Sequence, residues 1–302
     1  HGTFSSTLGS FGALATFDDG KTFLQRALEN YDLVIGWNHR TLSVAPDQNA
    51  SDLHDWLQAQ KWSSPPVIDA IAYSRGGLVF RSLVEGLMPG DKKNKVTIGQ
   101  AVFVGCTNGG TELANPANWH RFADIYVNLA AAGARALTVV PGLNVAGLIL
   151  AEAISGLGGL LKVLATSATT DNAIPGLAAM NPGGPFIKHI NSKQTGQPMP
   201  ADVRYFAITS NFDPDEAEAE GRTSELPAGL ALKLAAKAVD AMQRRNNDLV
   251  VNVDAMTQID PDLGAYVRER LDYGTNGLVH HCRYFGQEET AASLSQWLLK
   301  QV

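Results

Sequence analysis

The chain alternates short apolar runs with stretches in which apolar residues return every third or fourth position. In Thr22–Asn30, Phe23, Leu24, Ala27 and Leu28 fall on one helical face, which predicts an amphipathic helix. The apolar run Tyr31–Trp37 has strand length, and Asn49–Ala59 reads as a second helix through Ala50, Leu53, Trp56 and Leu57. Pro65-Pro66 interrupts the pattern and introduces a strand over Val67–Ala72. A helix is expected from Gly77 to Leu87, closed by Pro89-Gly90. Val96–Cys106 is the next strand. Its Ala101-Val102-Phe103-Val104 segment is apolar throughout, as in a parallel strand covered on both faces. This alternation predicts an α/β class with a mostly parallel, doubly wound sheet.

From Asn115 to about Thr195 the strand pattern stops. Within that interval Leu129–Ala168 is dense in Ala, Leu, Gly and Val, with Arg135, Glu152 and Lys162 as its charged residues. Three readings compete. Val139–Gly158 approaches the roughly 20 apolar residues of a membrane span, but Pro141, Asn144, several glycines and Glu152 interrupt it. The other two readings are a buried helical hairpin covering the sheet and a mobile helical lid. The lid is the reading adopted, because insertions after a strand's carboxyl end lie beside the ligand crevice of such sheets. The sheet resumes at Val203–Thr209. Asp213–Glu225 reads as an exposed acidic loop, Pro227–Arg245 as a helix, Gly277–His281 as a last strand and Thr290–Lys300 as a closing helix. The expected organisation is an α/β core of 1–114 and 200–302 with a helical lid or cap at 115–199.

Composition narrows the function classes. The 302 residues are 45% hydrophobic and 18% charged, with a net charge of −6. This is a globular composition without the basic footprint of a nucleic-acid binder. Cys106 and Cys282 are the two cysteines, and no zinc spacing accompanies them. No basic, apolar signal segment opens the chain, so a cytoplasmic setting is expected. The abrupt start at His1-Gly2 leaves room for upstream residues or for membership in a longer protein.

Chemistry concentrates at Ala72-Tyr73-Ser74-Arg75-Gly76, between the apolar strand and the apolar helix. A serine on so tight a strand-to-helix turn, with small neighbours, is the nucleophile elbow, although Ala72 stands where glycine is usual. Its hydroxyl needs an imidazole base, and the imidazole needs a carboxylate. Of the seven histidines, His280 and His281 lie just before the closing helix, where the base belongs. They point opposite ways on extended chain, and His281 is the choice. For the acid Asp248 is chosen over Asp254 and Asp260, since apolar Leu249-Val250-Val251 follows it. The backbone N–H of Arg75, next after the serine, and that of Thr3 in His1-Gly2-Thr3-Phe4 are the expected oxyanion donors. His1 would order that loop.

Together, His1-Gly2-Thr3-Phe4, Tyr73-Ser74-Arg75-Gly76-Gly77, Asn108-Gly109-Gly110-Thr111-Glu112-Leu113, Asn247-Asp248-Leu249-Val250 and His281-Cys282-Arg283-Tyr284-Phe285 resemble the lipase branch of the α/β-hydrolase superfamily. The resemblance is nearest to bacterial lipase-like hydrolases related to GPI inositol-deacylases, including modules joined to CHAT protease domains. Thr107 stands where those relatives usually carry Pro, and Leu249 where they often carry Gly. The resemblance implies a serine-dependent lipase or esterase without metal or organic cofactor, acting on an ester or lipid. Transient lipid-surface contact would run through the apolar 129–168 region. A catalytically inactive interaction module and a serine peptidase or amidase are the alternatives.

Overall fold

The computed structural model describes residues 1–135, 144–166, 174–192, 203–219, 246–259 and 266–299. The expected helix 227–245 and the rival carboxylate Asp260 lie outside the described residues. Four strands, β1 (Val67–Tyr73), β2 (Thr97–Val104), β3 (Arg204–Phe212) and β4 (Val267–Asn276), form one sheet in the order β1-β2-β3-β4. Every neighbouring pair is parallel, so all four carboxyl ends open on one rim.

The period-2 alternation of strands sorts side chains to two faces. Val102 and Val104 of β2, with Phe206 and Ile208 of β3, share a cluster with Phe11 of α1 (Thr7–Phe11), Phe23 and Ala27 of α2 (Asp18–Asn30) and Leu294 and Trp297 of the closing helix Glu288–Leu298. The Trp297 indole stacks on Phe206 at 5.0 Å. The intervening residues Ala101, Phe103 and Tyr205 face the other way. They meet Ala50 and Leu57 of α3 (Pro46–Ala59) and Val79 and Phe80 of α4 (Gly76–Arg81). Beyond α4 the backbone loosens into a π-helical turn, Ser82–Leu87. The wholly buried Arg81 is held there bidentately by Glu85, at 2.8 and 2.9 Å.

A third cluster lies over the rim. It joins α5 (Trp119–Arg135) and α6 (Val145–Thr166) to Phe4, Leu113, Leu177, Phe212 and the Leu249-Val250-Val251 segment. Among the described residues no helix is long and apolar enough to cross a membrane. The short helices α7 (Pro175–Ala178) and α8 (Pro185–Ile190) complete this layer.

Three elements differ from the sequence reading. Tyr31–Trp37 forms neither helix nor strand and joins no described ladder, and Leu33, Val34 and Ile35 are exposed. An apolar run becomes a strand only when another edge accepts its hydrogen bonds, and β1's outer edge pairs with no described strand. The last strand is Val267–Asn276 rather than Gly277–His281. Its Arg268, Glu269, Arg270 and Asp272 conceal it, since an edge strand tolerates charge. Leu249-Val250-Val251, which the sequence reading assigned to no element, is a buried turn in which Leu249 has φ +77°. Part of the expected acidic loop is helical, at Pro214–Ala219.

Candidate active site

Ser74 follows β1 directly, and its backbone is held at φ +54°, a left-handed conformation uncommon outside glycine. The turn is tied down on both sides. Ser74 N–H donates to Val104 O at 3.0 Å, and its carbonyl accepts from Gly77 N–H at 3.1 Å and Thr107 N–H at 3.3 Å. Small neighbours are a steric requirement here. A Cβ on Gly77 would sit 2.7 Å from Cys106, one on Gly76 3.0 Å from the His1 backbone, and one on Gly2 2.9 Å from the Tyr73 ring. Ala72, at the position glycine usually takes, is buried.

Two further segments reach the same point from other strands' carboxyl ends. Past β4 the chain enters a 3-10 turn, His281–Gly286. Past β3, Asp248 occupies the buried turn. His281 Nε2 lies 2.9 Å from Ser74 Oγ, and His281 Nδ1 lies 2.7 Å from Asp248 Oδ2. Asp248 O also accepts the His281 N–H at 2.9 Å. The Tyr73 hydroxyl donates to His281 O at 2.8 Å, so the residue before the serine clamps the backbone of the imidazole. A hydroxyl, an imidazole and a carboxylate in this order can move a proton from Oγ to Nε2 and hold the resulting imidazolium.

The neighbouring candidates are placed elsewhere. His280 caps the 3-10 turn, its Nδ1 accepting Cys282 N–H at 3.3 Å, and its ring packs edge-on against Phe212. Burial, with Arg283 and His281 nearby, lowers its pKa to about 3. Asp254 lies in the first turn of the short helix Val253–Met256. Thr3 is buried, its hydroxyl pointing to Met180 Sδ at 3.8 Å. The amides of Thr3 and Arg75 donate to no described acceptor. His1 bridges its loop, Nδ1 meeting Gly2 O and Nε2 accepting His39 N–H, each at 3.0 Å. The Arg75 side chain is wholly buried and has carbonyl partners, Val44 O at 2.6 Å and Gly176 O at 3.2 Å. Burial lowers its pKa to about 9. Among the described residues no group of His, Cys, Asp or Glu could hold a metal ion.

A family model covers residues 1–299, described as a domain of unknown function, DUF7379. The chain belongs to the DUF7379 family. No curated protein matches it. Among solved structures it is similar to phospholipase PlaB from Legionella pneumophila, at 12% identity and a TM-score of 0.44. That match covers 85% of this chain and 44% of PlaB, so the chain spans less than half of that protein's length.

In this DUF7379 chain the site is covered. Ser74 is 2% exposed, and Asp248 and His281 are 0% exposed. A cavity of about 100 Å³ reaches His281 and Tyr73 from the side of Phe4, Tyr126 and Ile149. Phe4, at φ +56°, meets the Phe122 and Tyr126 rings of α5 at 5.6 and 5.1 Å. A Cβ on Gly156 of α6 would stand 2.5 Å from the same phenylalanine ring.

Two contributors carried no assigned role in the sequence reading. The Asn108-Gly109-Gly110-Thr111 stretch is scaffolding: Asn108 Nδ2 donates to Met256 O at 2.7 Å, and the Thr111 hydroxyl donates to Val250 O. It thereby holds the turn carrying Asp248. Glu152 accepts Ser6 N–H at 2.8 Å, Ser5 Oγ–H at 3.1 Å and the Ser6 hydroxyl. Its signal was visible as a lone carboxylate in an apolar helix, but its partners, two and three residues beyond Thr3, were not.

Proposed function

We propose that this chain is a serine-dependent carboxylic ester hydrolase, a lipase or esterase of the α/β-hydrolase fold. The observation that carries the reading is the unbroken chain from Ser74 Oγ through His281 to Asp248, at 2.9 and 2.7 Å. Ser74 Oγ attacks the ester carbonyl while His281 Nε2 takes its proton. The carbonyl oxygen becomes an oxyanion facing the Thr3 and Arg75 amides. As the tetrahedral intermediate collapses, the C–O bond to the alcohol breaks and His281 returns the proton to the leaving oxygen. Water, deprotonated by His281, then attacks the acyl-enzyme and frees the acid.

On this reading residues 1–114 and 200–302 form a doubly wound core, and 115–199 form a lid whose helices α5 and α6 cover the site. The cavity beside His281 is smaller than the roughly 150 Å³ apolar void that admits benzene. A long acyl chain therefore requires α5 and α6 to move off Phe4, and the carboxylate of Glu152 on Ser5 and Ser6 is the polar latch that resists it. The apolar α6, which exposes Ile154, would then face a lipid surface. Within the superfamily, the motifs favour the lipase-like branch related to GPI inositol-deacylases.

The test is hydrolysis of p-nitrophenyl esters of increasing chain length by wild type and Ser74→Ala. Ser74-dependent turnover is expected, and equal rates in both proteins would overturn the assignment. Matched amide substrates separate an esterase from a peptidase.

A further inference from the structure

Asp248 has more partners than the imidazole. Its Oδ1 accepts Val250 N–H at 3.0 Å and Val251 N–H at 2.8 Å, whereas Oδ2 accepts both His281 Nδ1 at 2.7 Å and the Tyr284 hydroxyl at 2.9 Å. A carboxylate offers about four lone-pair sites, and each faces one donor. Tyr284, like Asp248, is fully buried.

The arrangement follows from local structure. In a 3-10 turn residues three apart eclipse, so His281–Gly286 presents His281 and Tyr284 on one side and aims two donors at one oxygen. The end of β2 leaves room for them. Gly105 has φ +50°, and a Cβ there would lie 2.6 Å from Tyr284 Cε2 and 3.2 Å from Asp248 Oδ2. Burial and the adjacent Asp248 push the Tyr284 pKa well above its ordinary value, so the phenol stays a donor.

We propose that Tyr284 is a positioning residue of the site: its hydroxyl fixes the Asp248 carboxylate so that Oδ2 holds the His281 ring in line with Ser74 Oγ. The inference rests on the hydrolase reading above. Without the phenol, the two amides still anchor Oδ1, but Oδ2 is held by the imidazole alone. The ring and carboxylate can then rotate together away from Ser74.

The experiment compares wild type, Tyr284→Phe and Tyr273→Phe. Tyr273 is the control: its ring is 6.4 Å from that of Tyr284, and its hydroxyl pairs with Thr290 at 2.8 Å, away from Asp248. Tyr284→Phe should lower kcat on a short ester about ten- to hundredfold, by analogy with the loss of hydrogen-bond partners that orient metal ligands. KM should stay within about twofold. Fluorophosphonate labelling of Ser74 should slow in parallel, and Tyr273→Phe should do neither. A Tyr284→Phe enzyme with wild-type kcat and labelling rate would overturn the inference. If wild type neither labels nor turns over, the hydrolase reading fails. The placement is then read by NMR, where Tyr284→Phe should shift the His281 ring resonances and Tyr273→Phe should not. Unmoved His281 resonances would overturn it.

Discussion

The elbow region and the helical layer above it are both buried, yet they are held by different means. Around Ser74 the backbone itself is constrained. Positive φ at Ser74, hydrogen bonds to Val104, Gly77 and Thr107, and glycines with no room for a Cβ leave one geometry. Across α5 and α6 the described contacts are mainly apolar side chains on Phe4 and Leu113, with the Glu152 carboxylate adding directional bonds to Ser5 and Ser6. Hydrophobic contact is non-directional, so it can be remade in another position. Among the described residues this fold concentrates its directional bonds on the proton path and holds the cover mainly by adjustable ones.

The largest expected effect breaks the proton path. Ser74→Ala should reduce ester turnover by about 10⁴- to 10⁶-fold, the range seen when a serine nucleophile is removed, with little change in melting temperature. Steady-state assay and calorimetry check both halves.

Next comes one substitution made in both regions. Gly77→Ala forces a Cβ to 2.7 Å from Cys106 and should cost about 1–3 kcal/mol by overpacking. Gly158→Ala in α6 meets nothing within 4 Å and should stabilise the helix by about 0.5–1 kcal/mol. Urea unfolding reads both, and equal signs would erase the contrast.

Glu152→Gln weakens the polar latch on Ser5 and Ser6. Loss of its charge-assisted bonds, on the order of 1–2 kcal/mol, should raise turnover of long-chain esters several-fold and leave acetate esters near wild type. An equal change on both would make the helices a fixed cover.

The effect that is smallest at neutral pH concerns the imidazole that the proton path does not use. His280 is buried, and its pKa falls from 6.5 to about 3. Between those values the unfolded chain binds the extra proton, so stability is full above pH 6.5 and declines as pH drops toward 3. The slope is about 1.4 kcal/mol per pH unit. His280→Asn should flatten that slope in acid-unfolding curves.

Much of this was legible in the chain because the informative features are local. The elbow is a strand, a serine and small residues in immediate succession, and the parallel strands β2 and β3 are apolar runs whose period assigns both faces. What could not be read was set by distant partners. Tyr31–Trp37 has the composition of a strand but no ladder to join. Val267–Asn276 is a strand despite its charges, because it is an edge. His280 and His281 are equivalent as letters, and only the 3-10 turn that starts at His281 separates a capping ring from one facing Ser74. Tyr284 lay inside a recognised motif, but its bond to Asp248 spans 36 residues and needs the space left at Gly105.

The most direct measurement of the central claim is covalent labelling of the folded protein by a fluorophosphonate, with the adduct mapped by peptide mass spectrometry. One adduct per chain on Ser74, abolished in Ser74→Ala and slowed by orders of magnitude in His281→Ala, is the predicted result. A folded wild-type protein that stays unlabelled, or that labels equally fast without His281, would contradict it.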